Sequence, residues 1–156
     1  LGCGPLDFEG EIGVDRELTS AVKIMADVMA LPFADNSAEF IRLDHLIEHI
    51  PMRKVPMVLL EAYRVLTKNG QIRVSVPDIG LMCKTYIGTS ILEDKAIIMR
   101  WFYGSQVHNG EFHKSGWDRQ TLEDLLMATG YKDIKTEKDT SRWEGEDIYI
   151  VAEAVK

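Results

Sequence analysis

Residues 38–76 constrain the fold most, because they predict a strand, a helix and a second strand in succession. Ala38–Asp44 favours a strand, and Gly70–Val76 favours another with alternating apolar positions. Between them, apolar residues recur at steps of three and four from Met52 to Leu66, which is typical of an amphipathic helix. Thr67–Gly70 predicts the end of that helix, since Asn and Gly tolerate positive φ. A strand, helix and strand in this order indicate a parallel sheet.

The remaining segments extend this α/β pattern in both directions. Three short strands are predicted early, at the residues ending at Cys3, at Glu11–Asp15 and at Val22–Val28. The later segments are one or two helices in Leu81–Gly104, a polar loop in Ser105–Gly116, a helix capped by Asp118 that runs to Thr129, and strands at Lys132–Thr140 and Asp147–Ala154 joined by a turn containing Gly145. The fold class is therefore α/β, with a mostly parallel sheet and an antiparallel C-terminal edge hairpin.

Composition excludes several classes of function. A chain of 156 residues with 46% hydrophobic residues predicts a single domain, residues 1–156, with one core. The net charge of −7, without a basic block, argues against a nucleic-acid partner. Charged residues interrupt every apolar run, so neither a membrane span nor a signal segment is predicted, and we expect a cytoplasmic protein. Cys3 and Cys83 are too far apart in sequence to indicate a disulfide framework or a cysteine metal site.

Functional residues are expected just after the strands, because ligands of such sheets bind outside the strands' carboxyl ends. Gly2 and Gly4 allow the backbone to approach a ligand closely, although a plain tight turn would look the same. Asp15 could accept both hydroxyls of a ribose or simply begin an exposed turn. Asp27 and the pair Asp44-His45 follow the next two strands. Because a glycine-rich turn normally follows a buried strand, we expect the chain to be truncated within its first strand.

Five motifs, in this order, resemble the class I S-adenosylmethionine-dependent methyltransferases. They are Leu1-Gly2-Cys3-Gly4, Gly13-Val14-Asp15, Asp27 with 30–37 (ALPFADNS), 45–50 (HLIEHI), and 60–66 (LEAYRVL) leading through Asn69-Gly70 into a strand. The resemblance implies a Rossmann-like fold and S-adenosylmethionine as the cofactor. It also implies the following contacts: Gly2, Cys3 and Gly4 with the methionine part, Asp15 with the ribose, Asp27 with the adenine amino group, Val28 and Met29 with the adenine ring, and Asp44 and His45 beside the methyl group.

The chain departs from this family where the first two helices should lie. Only seven residues, Pro5–Glu11, separate Gly4 from the next strand, and Arg16–Ala21 leaves room for about one turn. Reduced helices on one face of the sheet are therefore expected, with upstream residues or the partner of a homodimer covering that face. A compact methyltransferase subgroup with a shortened opening is similar, and this resemblance implies a sugar acceptor.

The same sequence allows three alternative interpretations. His45, Glu48 and His49 match the pattern H-x-x-E-H of some zinc hydrolases, but no third ligand is apparent, so no metal ligand is predicted. A non-catalytic methyltransferase-like interaction module would explain the shortened opening. His108 and His113 lie in the polar loop and are predicted either to contact a substrate or to be solvated.

The favoured hypothesis is methyl transfer to an oxygen or nitrogen of a small polar acceptor. His45 is the candidate base, and Asp44 is its neighbour or the residue that orients the acceptor.

Overall fold

The computed structural model describes residues 1–2, 8–139 and 149–156. Its strands and helices follow one another as β1 (Val14–Asp15), β2 (Ile24–Met25), β3 (Ala38–Asp44), α1 (Val55–Val65), β4 (Leu66–Pro77), α2 (Ile79–Gly88), α3 (Leu92–Tyr103), α4 (Arg119–Ala128), β5 (Lys132–Asp139) and β6 (Tyr149–Val155). Single 3₁₀ turns occur at Ile47–His49, Met52–Lys54 and Asn109–Glu111.

The strands form a mixed sheet whose two parts are joined by the first residues of the chain. Strand β3 pairs parallel to β4, β4 antiparallel to β6, and β6 antiparallel to β5, while β1 pairs parallel to β2. The Leu1 nitrogen donates to the carbonyl of Arg42 at 2.6 Å, and the Gly2 N–H donates to the carbonyl of Val14 at 2.7 Å. The order is thus β2, β1, residues 1–2, β3, β4, β6, β5, which confirms the predicted α/β sheet with an antiparallel edge.

One face of the sheet carries the hydrophobic core. Ile41 and Leu43 of β3 lie beside Ile72 and Val74 of β4, and all four are buried. Helix α1 packs its apolar stripe against them, with Val55, Val58, Leu59, Ala62 and Val65 buried. Helix α4 adds Leu122 and Leu126 to the same core. Its start is fixed by the predicted N-cap, Asp118, which forms a capping box with Thr121.

The opposite face of β3 and β4 carries charged side chains that form ion pairs with one another. Arg42 binds Glu11 at 2.8 Å and Asp44 at 3.4 Å, and it stacks 4.6 Å from the ring centroid of Phe8. Arg73 adds a second ion pair to Asp44 at 3.3 Å. The described parts of the connections to β1 and β2, residues 8–13 and 16–23, contain no helix, as predicted. Charged side chains therefore alternate with core residues at the end of β3, and Phe40, also on this face, lies 5.4 Å from Arg42.

Several predicted boundaries were wrong. Strands β1 and β2 are only two residues long, and α1 ends at Val65, where Leu66 turns extended. The turn predicted at Thr67–Gly70 is present as an irregularity within β4, since Asn69 has a φ of +65° and the pairing steps from Ala38–Leu66 to Phe40–Gln71. Leu81–Gly104 resolves into two helices, and the turn containing Gly145 lies outside the described residues. Within the described ranges, no helix is long and apolar enough to cross a membrane.

Candidate functional site

Gly2 lies where the carboxyl ends of β1 and β3 meet. Its φ of +60° is a left-handed conformation that glycine adopts without strain. A Cβ on Gly2 would lie 2.5 Å from Cδ1 of Leu46, which follows β3. Gly2 therefore lets the chain pass closely between the two strands. Cys3 and Gly4, the other residues predicted to contact the methionine part of the cofactor, lie outside the described residues.

Asp15 and Asp27 follow adjacent parallel strands and form similar turns. One carboxylate oxygen of Asp15 accepts from the N–H of Glu17 at 3.1 Å, and one of Asp27 accepts from the N–H of Met29 at 2.9 Å. Such turns hold a carboxylate in place through one oxygen. Val28 is buried in the core, and Met29 is half-buried against it. The structure thus brings the residues expected around a nucleoside to one edge of the sheet.

Arg64 and Glu61 of α1 hold the segment after Asp27 in place, and these contacts were not predicted from the sequence. Arg64 donates to the carbonyls of Leu31 and Phe33 at 3.2 and 2.9 Å, and to Glu61 at 2.7 Å. Glu61 also accepts from the Leu31 N–H at 2.7 Å. Hydrogen bonding to Arg64 lowers the pKa of the Glu61 carboxyl and, reciprocally, raises the pKa of Arg64. This network holds the loop that precedes β3.

Asp44 and His45 end β3 in different environments. The Asp44 side chain is only 6% exposed and lies between Arg42 and Arg73, so its charge is neutralised within the protein. His45 has a φ of +52° and donates its backbone N–H to the carbonyl of Ser75 at 2.9 Å. Its Nδ1 lies 3.5 Å from Oε1 of Glu48. His45 is therefore oriented by a carboxylate, whereas Asp44 is tied to the charged face of the sheet.

The two loop histidines, His108 and His113, lie in different surroundings. His108 is exposed, with Nε2 3.0 Å from Glu111 and Nδ1 accepting from the Gly110 N–H. His113 is half-buried, and its ring meets that of His49 edge to face, with centroids 4.8 Å apart. Burial lowers the pKa of His113, although nearby Glu48 opposes this shift. Only His113 is brought next to the residues that follow β3.

A cavity of about 20 Å³ lies beside His113, between the end of β4 and helices α2 and α3. Trp101, Phe102 and Trp117 supply aromatic walls, and Glu48 supplies a carboxylate. Glu48 is 2% exposed, and its Oε2 is the buried side-chain oxygen or nitrogen that lacks a hydrogen-bond partner among the described residues. This buried position of Glu48 could not be predicted from the sequence, because the residues that line the cavity with it lie far along the chain.

The H-x-x-E-H segment does not adopt the helical geometry that the zinc hydrolase alternative requires. Ile47–His49 is a single 3₁₀ turn, and His45 precedes it in a left-handed conformation. The group that could hold a metal ion consists of Glu48, His49 and His113, whose ligand atoms lie within 4.8 Å of one another. His113 comes from the polar loop, so it could not be recognised as a ligand from spacing.

Comparison with known proteins relates this architecture to one family. Residues 8–74 match the model of a methyltransferase domain. No curated protein sequence matches the chain significantly.

Solved structures with the same fold include S-adenosylmethionine-dependent methyltransferases from Thermotoga maritima and Archaeoglobus fulgidus. The first is 19% identical with a TM-score of 0.58, over 87% of this chain and 65% of its own. The second is 16% identical with a TM-score of 0.59, over 88% and 68%.

A third structure with this fold is a Burkholderia thailandensis 1,6-didemethyltoxoflavin-N1-methyltransferase, with its acceptor and S-adenosylhomocysteine bound. It is 14% identical with a TM-score of 0.62, over 92% of this chain and 59% of its own. The chain thus spans about two thirds of the length of the first structures it matches. At these identities, the likeness shows the fold.

Proposed function

We propose that the chain is a class I S-adenosylmethionine-dependent methyltransferase, in line with the methyltransferase domain model that matches residues 8–74, and that it transfers a methyl group from S-adenosylmethionine to an oxygen or nitrogen of a small polar acceptor, such as a sugar. The observation that carries this proposal is the convergence of Gly2, Asp15 and Asp27 at the carboxyl ends of adjacent strands. That edge is where ligands bind in sheets of this kind.

The residues at this edge fit the parts of the cofactor. Asp15 accepts from the ribose hydroxyls, for which its turn geometry holds the carboxylate in place. Asp27 accepts from the adenine amino group, and half-buried Met29 contacts the ring. Gly2 allows close approach of the methionine part, in line with its left-handed backbone. We also assign Cys3 and Gly4 to that contact, on the family resemblance alone.

The acceptor approaches from the side of His45, Glu48 and the aromatic cavity. S-adenosylmethionine, when bound, supplies a sulfonium methyl that is already activated, so the protein mainly aligns the acceptor with it. Transfer of that methyl to the acceptor would leave the cofactor as a neutral thioether. His45 takes the acceptor's proton, and Glu48 orients the imidazole at 3.5 Å. Asp44 positions the end of β3 through its two arginines.

The decisive test is calorimetric titration of S-adenosylmethionine and S-adenosylhomocysteine into the purified chain. We expect micromolar binding that persists after metal removal. Asp15→Asn keeps an oxygen for the Glu17 N–H but removes the charge, so it should weaken binding by about 1–3 kcal/mol, a factor of roughly 5 to 150. Asp124→Asn, at an exposed position on α4, is the matched control and should leave the affinity unchanged.

Two results would count against this proposal. Equal affinities of wild type and Asp15→Asn would remove the ribose assignment. Absence of binding at millimolar ligand would favour the non-catalytic interaction module.

His45→Ala is expected to lower turnover with little effect on cofactor affinity, and full activity of that variant would exclude His45 as the base.

A further inference from the structure

We propose that Glu48, His49 and His113 form a binding site for one divalent transition-metal ion, with a coordination position left open toward the aromatic cavity. No metal ligand was predicted from the sequence, because no third ligand to accompany the H-x-x-E-H segment was apparent. The tertiary structure supplies one, because the polar loop returns His113 to the segment that follows β3.

The buried carboxylate gives the first argument. Glu48 is 2% exposed, and its Oε2 has no hydrogen-bond partner within residues 1–2, 8–139 and 149–156, while Oε1 lies 3.5 Å from His45. A buried oxygen without a partner costs free energy, so native proteins nearly always satisfy such groups. A cation between Oε2 and the two imidazoles would satisfy it.

Both histidines carry the hydrogen bonds that are typical of metal ligands. Nδ1 of His49 lies 3.3 Å from the carbonyl oxygen of Phe112, and the His113 ring hydrogen-bonds to the backbone of Trp101. Metal-binding histidines generally donate one ring N–H to a carbonyl or carboxylate, which leaves the other nitrogen free for the ion.

The backbone around these side chains is already held in place. The N–H groups of Lys114 and Ser115 donate to the Glu48 carbonyl at 2.7 and 3.1 Å, and the Ser115 hydroxyl donates to the Ile47 carbonyl at 2.9 Å. These bonds fix the loop that carries His113 against the turn that carries Glu48 and His49. The ligand atoms lie within 4.8 Å of one another, whereas a tetrahedral site needs roughly 3.4 Å between ligands. Side-chain movements of about an ångström would therefore close the site.

The ligand types indicate which ion fits. Two imidazoles and one carboxylate suit zinc, iron, nickel or cobalt in the divalent state, whereas magnesium and calcium prefer oxygen ligands only. Three protein ligands leave a position for a water or a substrate atom, which is typical of catalytic sites. The cavity lined by Glu48 and His113 has room for about one water-sized occupant. If the proposed function holds, the ion would bind the acceptor atom beside His45 and lower its pKa.

The test uses the untagged chain, stripped with a chelator and desalted, so that no affinity tag competes for metal. We expect calorimetry with ZnCl₂ to give one ion per chain with micromolar or tighter affinity. Substitution with CoCl₂ should give visible absorption bands that His49→Asn shifts or abolishes. Glu48→Gln, which is isosteric, and His113→Asn should each weaken zinc binding at least tenfold. His108→Asn, in the same loop but exposed, is the control and should bind zinc like wild type.

Two outcomes would overturn the proposal. One is the absence of stoichiometric zinc binding by the wild-type chain. The other is an equal loss of affinity in His108→Asn and in folded Glu48→Gln, with folding checked by circular dichroism. Parallel titration with S-adenosylmethionine separates the two proposals: cofactor binding without zinc binding refutes the metal site alone, and zinc binding without cofactor binding refutes the proposed function alone.

Discussion

The Ser115 hydroxyl links two buried residues, Ile47 and Trp117, on the proposed acceptor side of the site. It donates to the carbonyl of Ile47 at 2.9 Å and accepts from the indole N–H of Trp117 at 3.1 Å. Ile47 is fully buried, and Trp117 is 5% exposed. Ser115→Ala removes both hydrogen bonds and leaves the indole N–H buried without a partner.

The expected cost follows from these contacts. Each lost hydrogen bond costs about 0.5–1.5 kcal/mol, and an unsatisfied buried donor adds to this, so Ser115→Ala should destabilise the chain by about 2–4 kcal/mol. This is a large fraction of the roughly 5–15 kcal/mol that stabilises a domain. For a chain of this size, the midpoint of thermal unfolding should fall by roughly 5–15 °C.

Urea denaturation followed by circular dichroism measures this loss. Ser105→Ala, at an exposed serine, is the control and should change the unfolding free energy by less than about 0.5 kcal/mol. In a Trp117→Phe background, the indole donor is absent, so Ser115→Ala should cost only about 1 kcal/mol. An equal cost of Ser115→Ala in both backgrounds would refute the reasoning, since it would show that the orphaned indole contributes nothing.

Two further predictions concern the framework around the site. The Tyr131 hydroxyl donates to the Leu59 carbonyl at 3.0 Å inside the core, so Tyr131→Phe should destabilise the chain by about 1 kcal/mol at pH 8. Burial raises the pKa of Tyr131, so wild-type stability should fall as the unfolded chain ionises above about pH 10, and the deficit of the variant should shrink by about 1.4 kcal/mol per pH unit. Urea denaturation showing the same deficit at pH 8 and pH 11 would contradict this. Gly104 has a φ of +80°, and a Cβ there would overlap the Glu111 carbonyl oxygen, so Gly104→Ala should lower stability by about 2 kcal/mol or more. Gly88→Ala, with no atom within 4 Å of the added Cβ, is the control in thermal denaturation, and similar midpoints for both variants would rule out the steric argument.

The fold was largely predictable because its main signals are local. The apolar periodicity of α1, the alternation in β4 and the cap at Asp118 each reflect the chemistry of neighbouring residues, and the structure confirms all three elements. The ends of elements were less predictable. Leu66 leaves the helix one residue earlier than predicted because it pairs with Ala38, and the turn preference of Thr67–Gly70 is met by an irregularity within β4, with Asn69 at a φ of +65°.

The charged face of the sheet could have been predicted from the alternation of charged and apolar residues in β3. Arg42 and Asp44 alternate with Ile41 and Leu43 in β3, so one face of that strand had to be polar. We expected upstream residues or a partner subunit to cover this face. The ion pairs of Arg42 and Arg73 stabilise the charges on this face, and its cover by upstream residues or a partner subunit stays a prediction.

The sequence by itself determined the class of fold and the positions of acidic residues at or just after the ends of β1 and β2, because these depend on periodicity and on the position of a residue at the end of its own strand. Only the tertiary structure brought His113 to Glu48 and His49 and left Oε2 of Glu48 without a partner in the part of the chain that the structure describes. The physical reason is that this contact joins two segments far apart in the chain, and their encounter depends on how α2, α3 and the polar loop pack, which no local pattern of residues encodes.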